Sequence, residues 1–419
     1  MQKILKYLDK ITYWSIVLLP FSIAIAPPFT YAMISFLVVS FTLKKMLKKE
    51  KLFINTSINL PFLLLIFISL ISCRNSIDYL ASSRWIIRLF QNAFIFLICA
   101  EEIKERKHIN RIILFIVLGA FLASFDGLWQ YIFGKDFIRG HSLHYAIGIK
   151  RASAAFPSPA VFGIYLSAIV PLIAGLTLFY FKGGIKVRMA IVSILVVASI
   201  IFSGSRGTVL GFYAALLFLS ICKRAKIVIV SLLIVLLLFP FVIPQSLKDW
   251  FRDLNYNPVV FIWDHGRISL NRNSLNMIKH HPFIGVGIGN FSQNYGKYKL
   301  PEIGEDYQTN YSMYAHNNFL QITGETGLFG LIVFLWLLFR LVKKNIDIYK
   351  RLKEGYYKII SLCLLACILA FLINGLTETS LYYSRVAMIF WYLIGFSLAL
   401  EKFIPPFFKT DLTPKEGRG

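Results

Sequence analysis

The chain has 419 residues, of which 57% are hydrophobic and 16% charged, and its mean hydropathy is +0.65. A water-soluble domain needs a largely polar surface, so this composition excludes one and makes the bilayer the main solvent. Lys and Arg outnumber Asp and Glu by 45 to 21, an excess that in a membrane protein belongs to cytoplasmic loops facing anionic lipid, and no basic soluble domain is present to take up nucleic acid.

The N-terminus, MQKILKYLDKITYWSIVLLPFSIAIAPP, has the basic start of a signal peptide. It lacks a small-x-small cleavage site and another apolar run follows at once, so it reads as a retained first span. Apolar runs long enough to cross a bilayer lie near 11–26, 29–43, 58–73, 84–100, 111–133, 160–181, 187–203, 206–222, 225–243, 325–342, 358–377 and 386–403. The expected fold is therefore an all-α polytopic membrane protein of about twelve transmembrane helices. With the N-terminus inside, the inner segments hold roughly 29 of the 45 basic residues, as the positive-inside rule requires. Shifting the frame by one helix would put the Lys-rich runs outside.

Three parts follow: a membrane domain over 1–243 with nine helices, a long outer, periplasmic loop over 244–324, and a membrane domain over 325–419 with three helices and a cytoplasmic tail. Within the loop, WFRDL and RISLNRNSLNMIKHH have the spacing of short amphipathic helices on the membrane surface. The five cysteines, Cys73, Cys99, Cys222, Cys363 and Cys367, fall inside or at the ends of apolar runs and read as packing residues.

The outer segments carry Arg151, Arg206, Arg267 and His316, each beside Gly, Ser or Asn, although topology disfavours positive charge there. Arg206 sits in SGSRG between two apolar helices; snorkelling would satisfy it, but flanking Gly204 and Gly207 let a ligand approach the backbone and a helix N-terminus favours anions. Arg151 opens RASAAFPSPAVFG, whose prolines delay the next helix until about Pro159. Arg267 starts an amphipathic helix with Asp264 close enough in sequence to pair with it. Together the three offer planar, permanently charged forks suited to two phosphates. His316 opens HNNFLQITGETGLFG, where Asn317 and Asn318 add hydrogen-bonding capacity to a side chain that can serve as general base.

Other features have plainer readings. Glu325 fits the first turn of a helix capped by Thr323. HPFIGVGIGNF, with Gly285, Gly287 and Gly289, lacks the strand and long helix of a phosphate-binding loop and reads as a turn between surface helices. His141, His144, His280 and His281 have no nearby carboxylate or cysteine to complete a metal site. No Asp-x-Asp or Glu-x-Asp triplet occurs, so no metal and no other cofactor is expected, and a departing pyrophosphate would be stabilised by arginine. Were a divalent ion required, Asp78, Glu305, Asp306 and Glu378 would be its possible ligands.

RASAAFPSP, SGSRG, GR with HPFIGVGIGNF, and HNNFLQITGETGLFG, in this order, resemble the O-antigen ligase and polymerase superfamily. One departure is Ala154–Ala155, where members often have Gly-Thr. The resemblance implies transfer of a glycan from undecaprenyl pyrophosphate at the periplasmic face of the bacterial inner membrane. It implies that Arg151, Arg206 and Arg267 bind the donor diphosphate, that Arg206 and Arg267 also take part in catalysis, and that His316 acts on the acceptor hydroxyl. Length and the single long loop resemble the ligase, whose acceptor is lipid A core oligosaccharide; a polymerase shares the motifs. A lipid-linked glycan transporter is the competing class, but it would place its ionisable residues along a midplane cavity.

Overall fold

The computed structural model describes residues 1–406 apart from 53, 147, 243–244, 246–247, 250–251, 253–264 and 301–312. Most of the WFRDL segment, Asp264, Glu305 and Asp306 lie outside the described residues. Among the described residues the chain is all-α apart from one small hairpin. In order come α1 (Gln2–Ile25), α2 (Pro27–Lys48), α3 (Asn59–Ser72), α4 (Tyr79–Glu102), α5 (Arg106–Phe133), β1 (His144–Ala146), β2 (Ile149–Arg151), α6 (Pro159–Phe179), α7 (Gly183–Phe202), α8 (Arg206–Cys222) and α9 (Lys226–Val242). The long loop contributes α10 (His265–His280) and the short α11 (Phe291–Asn294), and α12 (Asn318–Arg351), α13 (Tyr356–Asn374) and α14 (Ser384–Ala399) complete the bundle.

Among the described residues nine helices are long and apolar enough to cross a membrane, and three shorter apolar ones lie at Asn59–Asn75, Arg206–Cys222 and Lys226–Leu238. The chain is thus a polytopic helical membrane protein. Local chemistry sets the helix starts. Ala26 is extended and Pro27, whose missing N–H is no loss at a first helical position, starts α2 after a one-residue turn. Asp78 caps α4 by accepting from the Ala81 N–H at 2.9 Å, and Ser158 caps α6 just before Pro159.

α6, α13 and α14 are buried along nearly their whole length and read as hydrophobic all round, as central helices do. α6 packs against α7, α8 and α13, while α4 lies on α14 and α3 on α12. α7 buries only Val196, Ser199 and Ile200; its exposed Ile185, Ile191, Ile194 and Ile201 suit hydrocarbon rather than water.

The two ends of the bundle differ. At one, Lys44 pairs with Asp9 at 3.1 Å and Glu102 at 2.7 Å, and Lys45 pairs with Glu50 at 2.9 Å and with Glu101. There Lys402 also donates to the carbonyls of Ala100, Glu101 and Ile103, closing the C-terminus of α4. The Lys-rich segments gather at this end. The hairpin, α10 and the α13–α14 turn gather at the other.

One helix start differs from the sequence reading. α12 begins at Asn318 rather than near 325, because Asn317 caps it, its side chain accepting from the N–H groups of Phe319 at 2.8 Å and Leu320 at 3.1 Å. Thr323 is inside the helix and donates to the Phe319 carbonyl at 2.6 Å. The helix breaks at Gly327, where φ is 69° and ψ −172°.

Candidate active site

Arg151 ends the second strand of an antiparallel hairpin in which it pairs with His144. The segment after it is moulded around Gln130, a buried residue of α5 whose side-chain carbonyl accepts from the N–H groups of Ser153 at 2.7 Å and Ala154 at 2.8 Å. The Gln130 amide donates to the carbonyl of His141 at 3.0 Å, which ties both ends of the loop to one side chain. Ala152 N–H then bonds the Phe202 carbonyl at 2.8 Å, and Arg151 Nε donates to the Ser203 carbonyl at 2.9 Å. The arginine therefore lies along the α7–α8 turn. Gly204 in that turn has φ +59°, and a Cβ there would sit 3.0 Å from Arg151 Nε and 3.1 Å from its Cγ, so both conformation and space call for glycine.

Arg206 is the first residue of α8, with Ser205 before it as N-cap. Gly207 brings this helix start against the side chain of Thr377 in the α13–α14 turn. Further along α8, a Cβ at Gly211 would be 2.7 Å from the Ala370 carbonyl oxygen and from Asn374 Nδ2. Small residues thus let α8 and α13 approach closely, and Arg206 arrives beside the residue that precedes Glu378.

Glu378 is the centre of the arrangement. It is 2% exposed, and one carboxylate oxygen accepts from Arg267 Nη2 while the other lies 2.8 Å from His316 Nδ1. His316 has φ +47°, a left-handed backbone uncommon outside glycine and held here by its neighbours. Those neighbours are Asn317 and Asn318. Asn317 donates to the Leu376 carbonyl at 3.1 Å, Asn318 N–H to the Gly375 carbonyl at 2.8 Å, and Asn318 Nδ2 to Ser380 Oγ at 2.8 Å. The two asparagines therefore clamp the start of α12 to the turn that carries Glu378.

The four charged groups share one field. Burial pushes the Arg151 guanidinium below its ordinary pKa; Glu378 opposes that fall, and the positive charges of Arg267 and Arg206 add to it. Burial alone would push the Glu378 carboxyl up, but His316 and Arg267 reverse this and hold it below the usual carboxylate range. Glu378 is accordingly ionised at neutral pH. Three guanidinium groups and one carboxylate leave an excess of positive charge, suited to a polyanion.

The structure brings together all four residues singled out in the sequence and adds two that reading missed. Glu378 lies in TETS, which reads as an ordinary turn between spans, and it entered the sequence reading only as a possible metal ligand. Its signal was a carboxylate with no basic neighbour in sequence. Gln130 carried no signal, since it lies at the end of an apolar run. Asp264, the expected partner of Arg267, is outside the described residues; among the described residues Glu378 meets Arg267.

Glu325 is structural by a different route from the one expected. Buried in α12, it accepts from the Gly289 N–H at 2.8 Å, Gln321 Nε2 at 2.9 Å and Tyr382 Oη at 2.6 Å, pinning the GVGIGNF turn between α10 and α11 to the bundle. Asp78 is occupied as the cap of α4. His281 lies 2.6 Å from Tyr298 Oη and His280 bonds the Asn276 carbonyl at 2.9 Å. No group of three or more metal-ligating side chains gathers among the described residues.

Residues 191–335 match the family described as O-Antigen ligase, a stretch that includes Arg206, Arg267 and His316 and excludes Arg151 and Glu378. No curated protein matches the chain. The family match supports the O-antigen ligase superfamily and, with it, an enzyme of the glycosyltransferase type acting on lipid-linked glycan and a lipid acceptor.

Proposed function

We propose that the chain transfers O-antigen glycan from undecaprenyl pyrophosphate to a sugar hydroxyl of lipid A core oligosaccharide, at the periplasmic face of the inner membrane and without a metal ion. The observation that carries this reading is the Glu378 carboxylate, shared between His316 and Arg267 in the field of Arg151 and Arg206.

The chemistry follows from the hydrogen bonds. An ionised carboxylate only accepts, so the proton between Glu378 and His316 sits on Nδ1, and whenever the imidazole is in its neutral form its lone pair is on Nε2. Nε2 takes the acceptor hydroxyl proton as that oxygen bonds the anomeric carbon. The bond from the anomeric carbon to the pyrophosphate oxygen breaks, and its electron pair leaves with undecaprenyl pyrophosphate. Arg151, Arg206 and Arg267 stabilise the charge on the leaving diphosphate, the larger of the two contributions where a general base supplies roughly a hundred- to ten-thousand-fold. Glu378 holds both the imidazole and Arg267, and so ties base to leaving-group clamp. The long loop over 244–324 supplies Arg267 and carries the chain to His316, which makes it part of the site rather than a connector.

The test is transfer by the purified chain in nanodiscs, with lipid-linked glycan and lipid A core as substrates, in the presence of excess chelator. A new glycosidic bond to the core lipid is the expected result. Lengthening of the lipid-linked glycan with no product on the core lipid would make the chain a polymerase, and activity that chelation abolishes and magnesium or manganese restores would overturn the metal-free part.

A further inference from the structure

A second polar site lies inside the membrane domain, apart from the arginines and His316. In α4 the residues Arg84, Arg88, Gln91 and Asn92 recur at helical spacing and form a polar stripe down one face of a membrane-spanning helix. Arg88 is nine residues into that helix, about 13 Å below its outer end at 1.5 Å per residue. Arg88, Gln91 and Asn92 line a cavity between α3, α4, α12 and α14, with Trp85, Thr326 and Tyr382 among its other walls. Among the described residues, none of the three makes a side-chain hydrogen bond or ion pair. The guanidinium instead lies 4.6 Å from the centre of the Trp85 ring. A cation and two amides at membrane depth cost several kcal/mol unless something polar meets them. The helix surface around them is apolar: Leu80, Ile87 and Phe90 are exposed on α4, and Leu63, Phe67 and Leu70 on α3.

We propose that this cavity binds the phosphate headgroup of a membrane lipid, with Arg88 pairing the phosphate, Gln91 and Asn92 donating to its oxygens, and the chain lying along the apolar surfaces of α3 and α4. Arg84, exposed one turn nearer the outer end, draws the anion in. The apolar flanks select an amphiphile over a soluble anion, because a lipid phosphate reaches the cavity sideways through the bilayer without leaving it. Trp85 and Tyr382 are 4.3 Å apart between ring centres, Tyr382 and Tyr314 are 6.1 Å apart, and Tyr314 is two residues before His316. This aromatic row runs from the cavity toward the site of transfer. Arg88 is close enough to act on it: burial and Glu325 push the Tyr314 phenol up, and Arg88 pulls it back. The binding claim stands whether or not the chain transfers glycans, and its test reads binding alone.

The experiment places a photo-crosslinking residue at Met388, on the cavity wall, in the full chain in membranes labelled with radioactive phosphate. Phosphate-labelled lipid should be captured at 388, at least tenfold less in Arg88→Gln, and to an intermediate extent in Arg88→Lys. Arg88 makes no framework hydrogen bond among the described residues, so Arg88→Gln should keep its thermal unfolding temperature, which is measured alongside. Excess dihexanoyl phosphatidic acid should compete in the wild type. Chromatography of the captured lipid then tells its source: polyprenyl phosphate, a phosphorylated glycolipid or bulk phospholipid. Capture that is undiminished by the phosphatidic acid, unchanged in Arg88→Gln, or absent because the cavity holds water would overturn the proposal.

Discussion

Nδ1 of His316 lies 2.8 Å from a carboxylate oxygen of Glu378, a residue 62 positions further along the chain. The pair joins the start of α12 to the turn between α13 and α14. Glu378→Gln keeps the shape and removes the charge, so the imidazole loses its tautomer control and Arg267 loses a counter-ion. The transfer rate should fall by about a hundred- to ten-thousand-fold. In the wild type the depressed Glu378 pKa contributes stability that is present above the unfolded value of about 4.3 and lost as pH falls through the lower folded value. The gap in unfolding temperature between wild type and Glu378→Gln should therefore close as pH falls below the ordinary carboxylate range. A gap that persists undiminished in strong acid would contradict the ionised, paired carboxylate.

The arginines and the histidine should separate kinetically. Arg206→Lys and Arg267→Lys keep a positive charge but lose the planar fork, so donor affinity and single-turnover rate should both drop by tenfold or more, on the order of one bidentate hydrogen-bond pair. His316→Gln should bind donor like the wild type and turn over on the order of a hundredfold more slowly. Lys variants with unchanged affinity, or a His316 variant at full rate, would mean the roles are wrongly divided.

Gly204→Ala acts on Arg151 without touching it in sequence. At φ +59° a Cβ costs roughly 1–2 kcal/mol, and here it would press on the Arg151 side chain. Donor affinity should fall about as far as in Arg151→Ala, and the double variant should be no worse than either single one. Independent, additive losses would show that the turn does not position the arginine.

Ala154→Gly should move in the opposite direction. Ala154 has φ +48°, a region where a methyl group is unfavourable, so glycine should keep activity and raise stability by up to about 1 kcal/mol, read as a modest rise in unfolding temperature. A fall of several degrees would mean that the Ala154 methyl packs more usefully than its backbone strains.

How far the sequence discloses this molecule depends on the kind of signal each part leaves. Spans announce themselves by apolar runs, and α6 and α13 stand where those runs lie. Arg206 and Arg267 are visible because isolated arginines beside Gly and Ser are rare at the ends of apolar helices. Glu378 was not, since its meaning comes from partners far away in sequence. The Gln130 clamp and the 144–151 hairpin depend on tertiary hydrogen bonds that impose no pattern on neighbouring residues. Ala154, noted as a departure from a glycine-bearing motif, proves to sit in the backbone conformation that glycine favours. The start of α12 was misplaced because the cap signal at Asn317 competed with a second plausible one at Thr323.

The order in which the site residues are synthesised bears on the safety of the cell. Arg151, Arg206, Arg267 and His316 all precede Glu378, and the turn that holds it must fold back onto the start of α12 before the imidazole is oriented. On the proposed function, a nascent chain halted anywhere before that turn has the arginines to attract a lipid diphosphate but no carboxylate to set the base. Stalled or prematurely terminated chains in the membrane would then be unable to release glycan from its costly carrier, and competence would arrive in a single step, late in biogenesis.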